Sequence, residues 1–171
     1  YIAIMASKGL TSHYNLSTPF YATMFSVMAL AATLVTLYTA YVGFLFFTQS
    51  FPDLPNYYVW AIRLGILIFV VFSFEGFAMG SKLSHTVGAI NDNSNWFIVG
   101  WSKTAGDLRV SHFIGMHALQ VLPILSFYVL KNTKATILVS ILYGLLALVT
   151  LVQALQGKPL FTSKQEKNEI I

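Results

Sequence analysis

The sequence predicts an all-α fold, a four-helix transmembrane bundle, from three observations. Hydrophobic residues make up 56% of the 171 residues and charged residues only 9%, whereas about a quarter of the residues of soluble domains are charged. Four apolar stretches reach the roughly 20 residues that a helix needs to cross the hydrocarbon of a bilayer. Polar segments separate them, so we predict one membrane domain over residues 1–171, with helices at 19–48, 58–83, 108–130 and 135–155.

The first predicted helix begins at Thr18 and Pro19, a hydroxyl cap followed by proline at the first helical position. No charged residue follows through Ser50, a run longer than a crossing needs, so we expect the helix to tilt or to project beyond the bilayer. Residues 1–17 predict an interfacial lead-in, and they lack the basic-then-apolar order of a signal peptide. Because the chain starts at Tyr1, we expect it to be processed or incomplete there.

The second predicted helix carries two charged residues of different kinds. Arg63 lies near its start, from where a long side chain can extend towards water. Glu75 lies about two turns before Lys82 in an otherwise apolar stretch and cannot easily reach the interface. The polar loop that follows, residues 84–107, is longer than most helix connections, which favours a functional or partly structured segment.

The third and fourth predicted helices form an antiparallel pair, because residues 131–134 are a tight connection. Asp107 is placed to cap the third helix, and Pro123 interrupts its hydrogen bonding, so we expect a bend just past Gln120. The chain ends in a polar tail, residues 160–171.

Basic residues predict the orientation. Four crossings place the N-terminus, the long loop and the C-terminus on one side, which collects Lys8, Lys82, Lys103, Arg109, Lys158, Lys164 and Lys167. The other side has only Arg63, Lys131 and Lys134. The positive-inside rule then predicts that both termini are cytoplasmic.

Polar residues in the second and third helices predict a binding pocket roofed by the long loop. The candidate haem or metal ligands are His85, His112, His117 and Glu75, and the other candidate pocket residues are Met79, Trp101, Asp107, Arg109 and Gln120. If the two helices are neighbours, counting residues from their ends places Glu75 level with His117 and His112 level with Met79. Asp107 and Arg109 could instead serve as a helix cap and a headgroup contact.

The histidine spacing leaves two interpretations open. His112 and His117 are five residues apart, about 140° around a regular helix, so they cannot both ligate one ion from the same face. Either each histidine works with a different neighbouring helix, or only one is a ligand. Hydrogen bonding to a carbonyl or carboxylate is the structural alternative for each histidine, and Glu75 could likewise be protonated or paired as a polar clamp.

Three segments carry a resemblance: residues 85–89 (His-Thr-Val-Gly-Ala), residues 101–102 (Trp-Ser) and residues 106–123 (Gly-Asp-Leu-Arg-Val-Ser-His-Phe-Ile-Gly-Met-His-Ala-Leu-Gln-Val-Leu-Pro). They resemble small bacterial four-helix integral membrane proteins, which implies the fold and no particular activity. The architecture with intramembrane histidines is also similar to four-helix b-type cytochromes, although their paired axial histidines are absent here. We predict a multi-pass protein of a bacterial inner membrane.

Three functional hypotheses follow. The first is a redox-type membrane protein or subunit in which the histidines hold haem or a transition metal. The second is a non-catalytic accessory subunit of a larger membrane complex, and the third is proton or ion translocation through Glu75. The expected partners are membrane lipids and other membrane subunits. Nucleic acid is excluded because the basic residues lie at helix ends, and the absence of cysteine excludes thiolate chemistry.

Overall fold

The computed structural model describes residues 1–88, 95–96 and 98–161, and its fold is all-α, as predicted. Its helices are α1 (Ile2–Ser7), α2 (Pro19–Thr48), α3 (Asn56–Ser73), α4 (Glu75–Lys82), α5 (Leu108–Leu125) and α6 (Thr133–Leu155), and a π-helical turn, Ser126–Leu130, extends α5. Four helical spans are long and apolar enough to cross a membrane: Pro19–Thr48, Asn56–Lys82, Leu108–Leu130 and Thr133–Leu155. The predicted tail, residues 160–171, lies almost entirely outside the described residues.

Small residues set the distances between the packed helices. Helices α3, α5 and α6 pack against one another, and α2 packs on α3. A Cβ at Gly65 of α3 would lie 3.0 Å from the Ala118 carbonyl oxygen of α5, and a Cβ at Gly115 would overlap the side chain of Phe72. Such small residues allow the helix backbones to approach closely, which is how helices associate in membranes.

Buried hydroxyl groups join the helices at the end of the molecule opposite to the long loop. The Ser126 hydroxyl donates to the Tyr57 carbonyl of α3 at 3.1 Å and lies 2.8 Å from the Thr136 hydroxyl of α6. Nearer the middle, the Tyr143 hydroxyl of α6 donates to the Ile114 carbonyl of α5 at 2.7 Å. Each of these bonds pairs a hydroxyl group with a polar atom of a neighbouring helix, as a helix bundle in a membrane requires.

The second membrane-length span is broken where α3 gives way to α4. At the junction the Phe74 N–H reaches the Val70 carbonyl only at 3.4 Å, and the Phe77 N–H bonds the Phe74 carbonyl three residues back at 3.1 Å. This tighter turn interrupts the regular i to i−4 ladder. Helix α5, by contrast, continues through Pro123 to Leu125 before its π-helical turn.

Two short strands close the base of the long loop. Strands β1 (Thr86–Val87) and β2 (Gly106–Asp107) pair antiparallel, with Thr86 opposite Asp107. A Cβ at Gly106 would overlap the Ala154 carbonyl oxygen of α6, so only glycine allows β2 to lie on that helix. The start of α5 is thereby fixed against both the loop and α6.

At the other end, Arg63 connects α3 to α2 instead of simply extending towards water. Its Nε donates to the Phe46 carbonyl in the last turn of α2 at 2.6 Å. The guanidinium lies 5.7 Å from the centre of the Phe47 ring and 5.3 Å from that of the Trp60 ring. A cation between two aromatic rings beside a helix C-terminus is a favourable arrangement.

Candidate functional site

Buried Asp107 forms an ion pair with the partly exposed Arg109 at the start of α5. The Asp107 side chain is 1% exposed, and its Oδ1 accepts from the Arg109 backbone N–H at 3.0 Å and from Arg109 Nε at 2.9 Å. Its Oδ2 accepts from Arg109 Nη2 at 2.6 Å and from the Ser102 N–H at 2.9 Å. Asp107 is thus the predicted helix cap and also holds the guanidinium in place.

The long loop and the N-terminal segment enclose this ion pair. Arg109 Nη2 also donates to the Gly100 carbonyl at 2.5 Å, and the Ser102 hydroxyl accepts the Ala105 N–H at 2.8 Å. Tyr14 packs on the small core beneath, and burial raises the pKa of its phenol; the Arg109 charge opposes that shift. The arginine is therefore held on several sides and keeps 34% of its side chain exposed.

The exposed part of Arg109 begins a cleft of about 370 Å³ along one face of α5. The cleft is lined by Phe69, Trp101, Arg109, His112, Phe113, Met116, His117 and Gln120. Five of these, Trp101, Arg109, His112, His117 and Gln120, are predicted pocket residues. The structure therefore brings together more than half of the predicted set at one cleft, with four of these residues on α5 and Trp101 from the loop before it.

The two histidines that line this cleft use the same nitrogen for a hydrogen bond. His112 Nδ1 lies 2.8 Å from the Phe72 carbonyl oxygen at the α3–α4 break, and His117 Nδ1 lies 2.7 Å from the Phe113 carbonyl oxygen of its own helix. A carbonyl oxygen can only accept, so each Nδ1 carries the hydrogen. In a neutral imidazole, Nε2 is then the nitrogen with the free lone pair.

The position of the His117 ring accounts for its sharing a cleft with His112. The ring leans over Phe113, with 4.0 Å between the ring centres, and Phe113 lies between the two histidines around the helix. The Gln120 amide nitrogen donates back to the Met116 and His117 carbonyls at 3.3 and 3.2 Å, which directs its oxygen away from them. His117, Gln120 and Phe113 are exposed at the surface of the chain.

Glu75 lies elsewhere, in a second depression on another side of α5. Its Oε1 is 2.5 Å from the Ser111 hydroxyl, and its Oε2 is buried with no hydrogen-bond partner in the described part of the chain. A groove of about 430 Å³ passes this carboxyl between α3, α4 and α6. Glu75 is therefore not part of the histidine cleft.

The predicted depth relation between the helices is wrong by more than one turn. Glu75 contacts Ser111, not the level of His117, and Met79 packs with Leu108, not with His112. The cause is that α4 extends beyond the start of α5. The chain then turns back at Leu83, which has a left-handed backbone (φ 50°), before it enters β1.

Two other predicted pocket residues have positions outside the cleft. Met79 is 5% exposed and belongs to the core cluster with Leu108 and Ala154. His85 lies at the base of the loop, where its backbone carbonyl accepts the Leu108 N–H at 2.9 Å. Within residues 1–88, 95–96 and 98–161, no three or more His, Asp or Glu side chains come together in a way that could hold a metal ion.

Sequence reasoning did not single out Ser111 or the Phe72 carbonyl. Ser111 is fully buried and bonds Glu75, and Phe72 supplies the acceptor for His112. A hydroxyl one position before His112 in an apolar helix was the available signal for Ser111. The Phe72 carbonyl carries no sequence signal, because it becomes available only through the break in the helix.

No protein-family model matches this sequence, and comparisons with curated proteins and with solved structures give no match either.

Proposed function

We propose that the chain is a four-helix transmembrane bundle of a bacterial inner membrane with cytoplasmic termini, and that it is a redox-type protein or subunit whose α5 cleft holds an electron-carrying ligand. One observation carries the proposal. His112 and His117 both use Nδ1–H for a backbone carbonyl, which leaves the Nε2 lone pair of each ring for a ligand at one cleft. Histidines that ligate metals are held in this way by their other nitrogen.

The environment of the cleft supports an occupant. His117 lies nine residues after Leu108, about 14 Å along α5, at a depth where a bilayer offers few polar partners. Exposed imidazole and amide groups are costly in hydrocarbon, so they require a ligand or a protein partner. Arg109, at the loop end, could bind an anionic group, since its hydrogen bonds to described residues use Nε and Nη2 and leave Nη1.

The chemistry at Nε2 fits two redox ligands. The lone pair can bind iron or copper directly, as in a haem with a single histidine ligand, or it can accept a hydrogen bond from a quinol hydroxyl. Trp101 and Phe113, 5.8 Å apart between ring centres, provide aromatic surface for a flat ring in either case. Such a group would supply one-electron transfer, while His112 and Arg109 would fix its position.

The test is an absorption spectrum of the purified protein, oxidised and reduced, together with elemental analysis and quinone analysis of a solvent extract. We expect one haem, iron or copper, or one quinone per chain, and its loss in His112→Ala or His117→Ala. His13→Ala is the matched control, because His13 lies in the N-terminal segment and not in the cleft. Protein with neither a chromophore, nor a metal, nor a quinone would overturn the proposal.

An accessory subunit is the second candidate, and the same exposed face of α5 favours it. A helix from another subunit, instead of a ligand, could cover the exposed side chains of His117 and Gln120. A photo-crosslinking side chain at either of these two positions should then link the chain to a partner in native membranes, whereas the same side chain at Leu138, exposed on α6, should not. Translocation through Glu75 stays a prediction, which loss of transport in Glu75→Gln would test.

A further inference from the structure

The groove beside Glu75 is apolar apart from that one carboxyl. It is lined by Val71, Phe72, Glu75, Ala78, Leu108, Gly144, Leu148, Leu151 and Leu155. The open side lies between α3, α4 and α6, where lipid would reach it. An apolar channel of about 430 Å³ is within the size range of small-molecule sites.

The Glu75 carboxyl is buried and only half satisfied. The residue is 9% exposed, its Oε1 bonds Ser111, and its Oε2 is buried with no hydrogen-bond partner among the described residues. An unsatisfied buried polar atom costs about 1–3 kcal/mol, and more when charged. Oε2 is closed to water in this conformation, so a ligand hydroxyl reaches it from the groove only by displacing a neighbouring side chain; the bond made there would recover that free energy.

Ser111 indicates which form of the carboxyl the site accommodates. Its hydroxyl lies 2.5 Å from Glu75 Oε1 and 3.1 Å from the Leu108 carbonyl oxygen, but it has one hydrogen to donate. If Glu75 is ionised, Ser111 can serve only one of the two acceptors well. If Oε1 carries a proton, Glu75 donates to Ser111, Ser111 donates to Leu108, and both bonds are made.

Oε2 is an acceptor in either form, so the missing group is a donor. The ion pair found among the described residues joins Arg109 to Asp107, and Glu75 has no cationic partner there. A neutral Glu75 carboxyl is therefore matched by an uncharged hydrogen-bond donor at Oε2. We propose that this groove binds an apolar chain that ends in a hydroxyl, which donates a hydrogen bond to Glu75 Oε2. This site is separate from the histidine cleft and does not depend on the redox proposal.

Decanol is the probe, because it carries one hydroxyl on an alkyl chain. Binding of radiolabelled decanol is measured by equilibrium dialysis against nanodiscs that hold the wild type or a variant, with empty nanodiscs subtracted. We expect one saturable site per chain in the wild type. Decyl methyl ether, which has no donor, should compete at least about tenfold more weakly than unlabelled decanol.

Three variants distinguish the contribution of the Glu75 carboxyl to decanol binding from that of the apolar side chains that line the groove. Glu75→Leu should weaken decanol binding at least about tenfold, because the acceptor is gone. Glu75→Gln should stay within about threefold of the wild type, because its amide can donate to Ser111 and its oxygen can accept from decanol. Asp53→Asn, in the turn between α2 and α3, is the matched control and should bind as the wild type does.

Three results would overturn the proposal. If the ether competes as well as decanol, the groove binds alkyl chains without a donor. If Glu75→Leu binds decanol as tightly as the wild type, the carboxyl is not part of the site. If decylamine binds far more tightly than decanol and Glu75→Gln abolishes that difference, the carboxyl is ionised and the site takes cations. Circular dichroism of each variant shows that it is folded.

Discussion

The cleft and the groove lie beside the same break between α3 and α4, yet they present opposite chemistry. The cleft has several polar side chains, and each histidine has already given one nitrogen to a backbone carbonyl. The groove has a single carboxyl, one oxygen of which has no hydrogen-bond partner among the described residues. In a membrane interior, a site binds ligands through the side-chain atoms that lack a hydrogen-bond partner within the protein. The number of polar residues at the site matters less.

Gly115 is the position at which both sites should fail together. A Cβ there would overlap the side chain of Phe72. Phe72 lines the groove, and its backbone carbonyl bonds His112 of the cleft. We expect Gly115→Ala to destabilise the protein by about 3 kcal/mol through overpacking. The measurement is the thermal unfolding midpoint in detergent. Gly80→Ala is the matched control, since a Cβ there meets nothing within 4 Å, and equal midpoints for the two variants would contradict the close packing.

Asp107 should separate the two sites. Asp107→Asn removes the charge that holds Arg109 while keeping an oxygen for the helix cap. We expect the free energy of unfolding to fall by about 2 kcal/mol, because the Arg109 guanidinium loses the carboxylate that accepts its hydrogen bonds. In the nanodisc assay, decanol binding should be unchanged. If decanol binding falls as well, the cleft and the groove are coupled through α5.

Replacing the two histidines should affect the stability of the protein to different extents, although both line the cleft. His112 bonds another helix, whereas His117 bonds its own helix and is exposed. In ligand-free protein, we expect His112→Ala to lower the free energy of unfolding by about 1 kcal/mol and His117→Ala by less than about 0.5 kcal/mol. Urea or thermal unfolding in detergent measures both. A larger cost for His117→Ala would contradict the exposed position of this ring, which bonds only its own helix among the described residues.

The smallest expected effect concerns alkaline pH at the cleft end. Burial raises the pKa of Tyr14 in the folded protein, so its stabilising contribution is complete below the pKa of the unfolded chain and is lost as pH rises through the folded value. The thermal midpoint of the wild type should therefore fall more steeply than that of Tyr14→Phe above about pH 10. Tyr128→Phe, exposed on the opposite end, should follow the wild type.

Local signals in the sequence were enough to find the membrane-length helices. The Thr18 cap and Pro19 define the start of α2, and the predicted starts at 58 and 135 fall two residues after Asn56 and Thr133. The break at Phe74 has only a weak signal in the sequence: the chain there reads Phe-Ser-Phe-Glu-Gly, without proline, and Gly76 lies inside the tight turn from Phe74 to Phe77. The Phe72 carbonyl beside the break bonds His112 of α5, a contact between helices that local patterns do not contain.

The candidate site was predictable in composition but not in arrangement. Arg109, His112, His117 and Gln120 were recognisable as polar residues in an apolar helix. The partner of Glu75 was not predictable. The relative depth of the helices depends on how far α4 extends beyond the start of α5 before the chain turns at Leu83, and on the pairing of β1 with β2. The common cleft of the histidines depends on the tilt of His117 over Phe113, a side-chain contact that helix geometry alone does not give.

The contact of Arg63 with the end of α2 has a consequence for biogenesis. Its charge at this end of the molecule is held between Phe47 and Trp60 and bonded to the Phe46 carbonyl, so the turn between α2 and α3 is closed by its own side chains. A helical hairpin closed in this way can enter the bilayer as one unit and offer α3 as a finished surface to the helices synthesised after it.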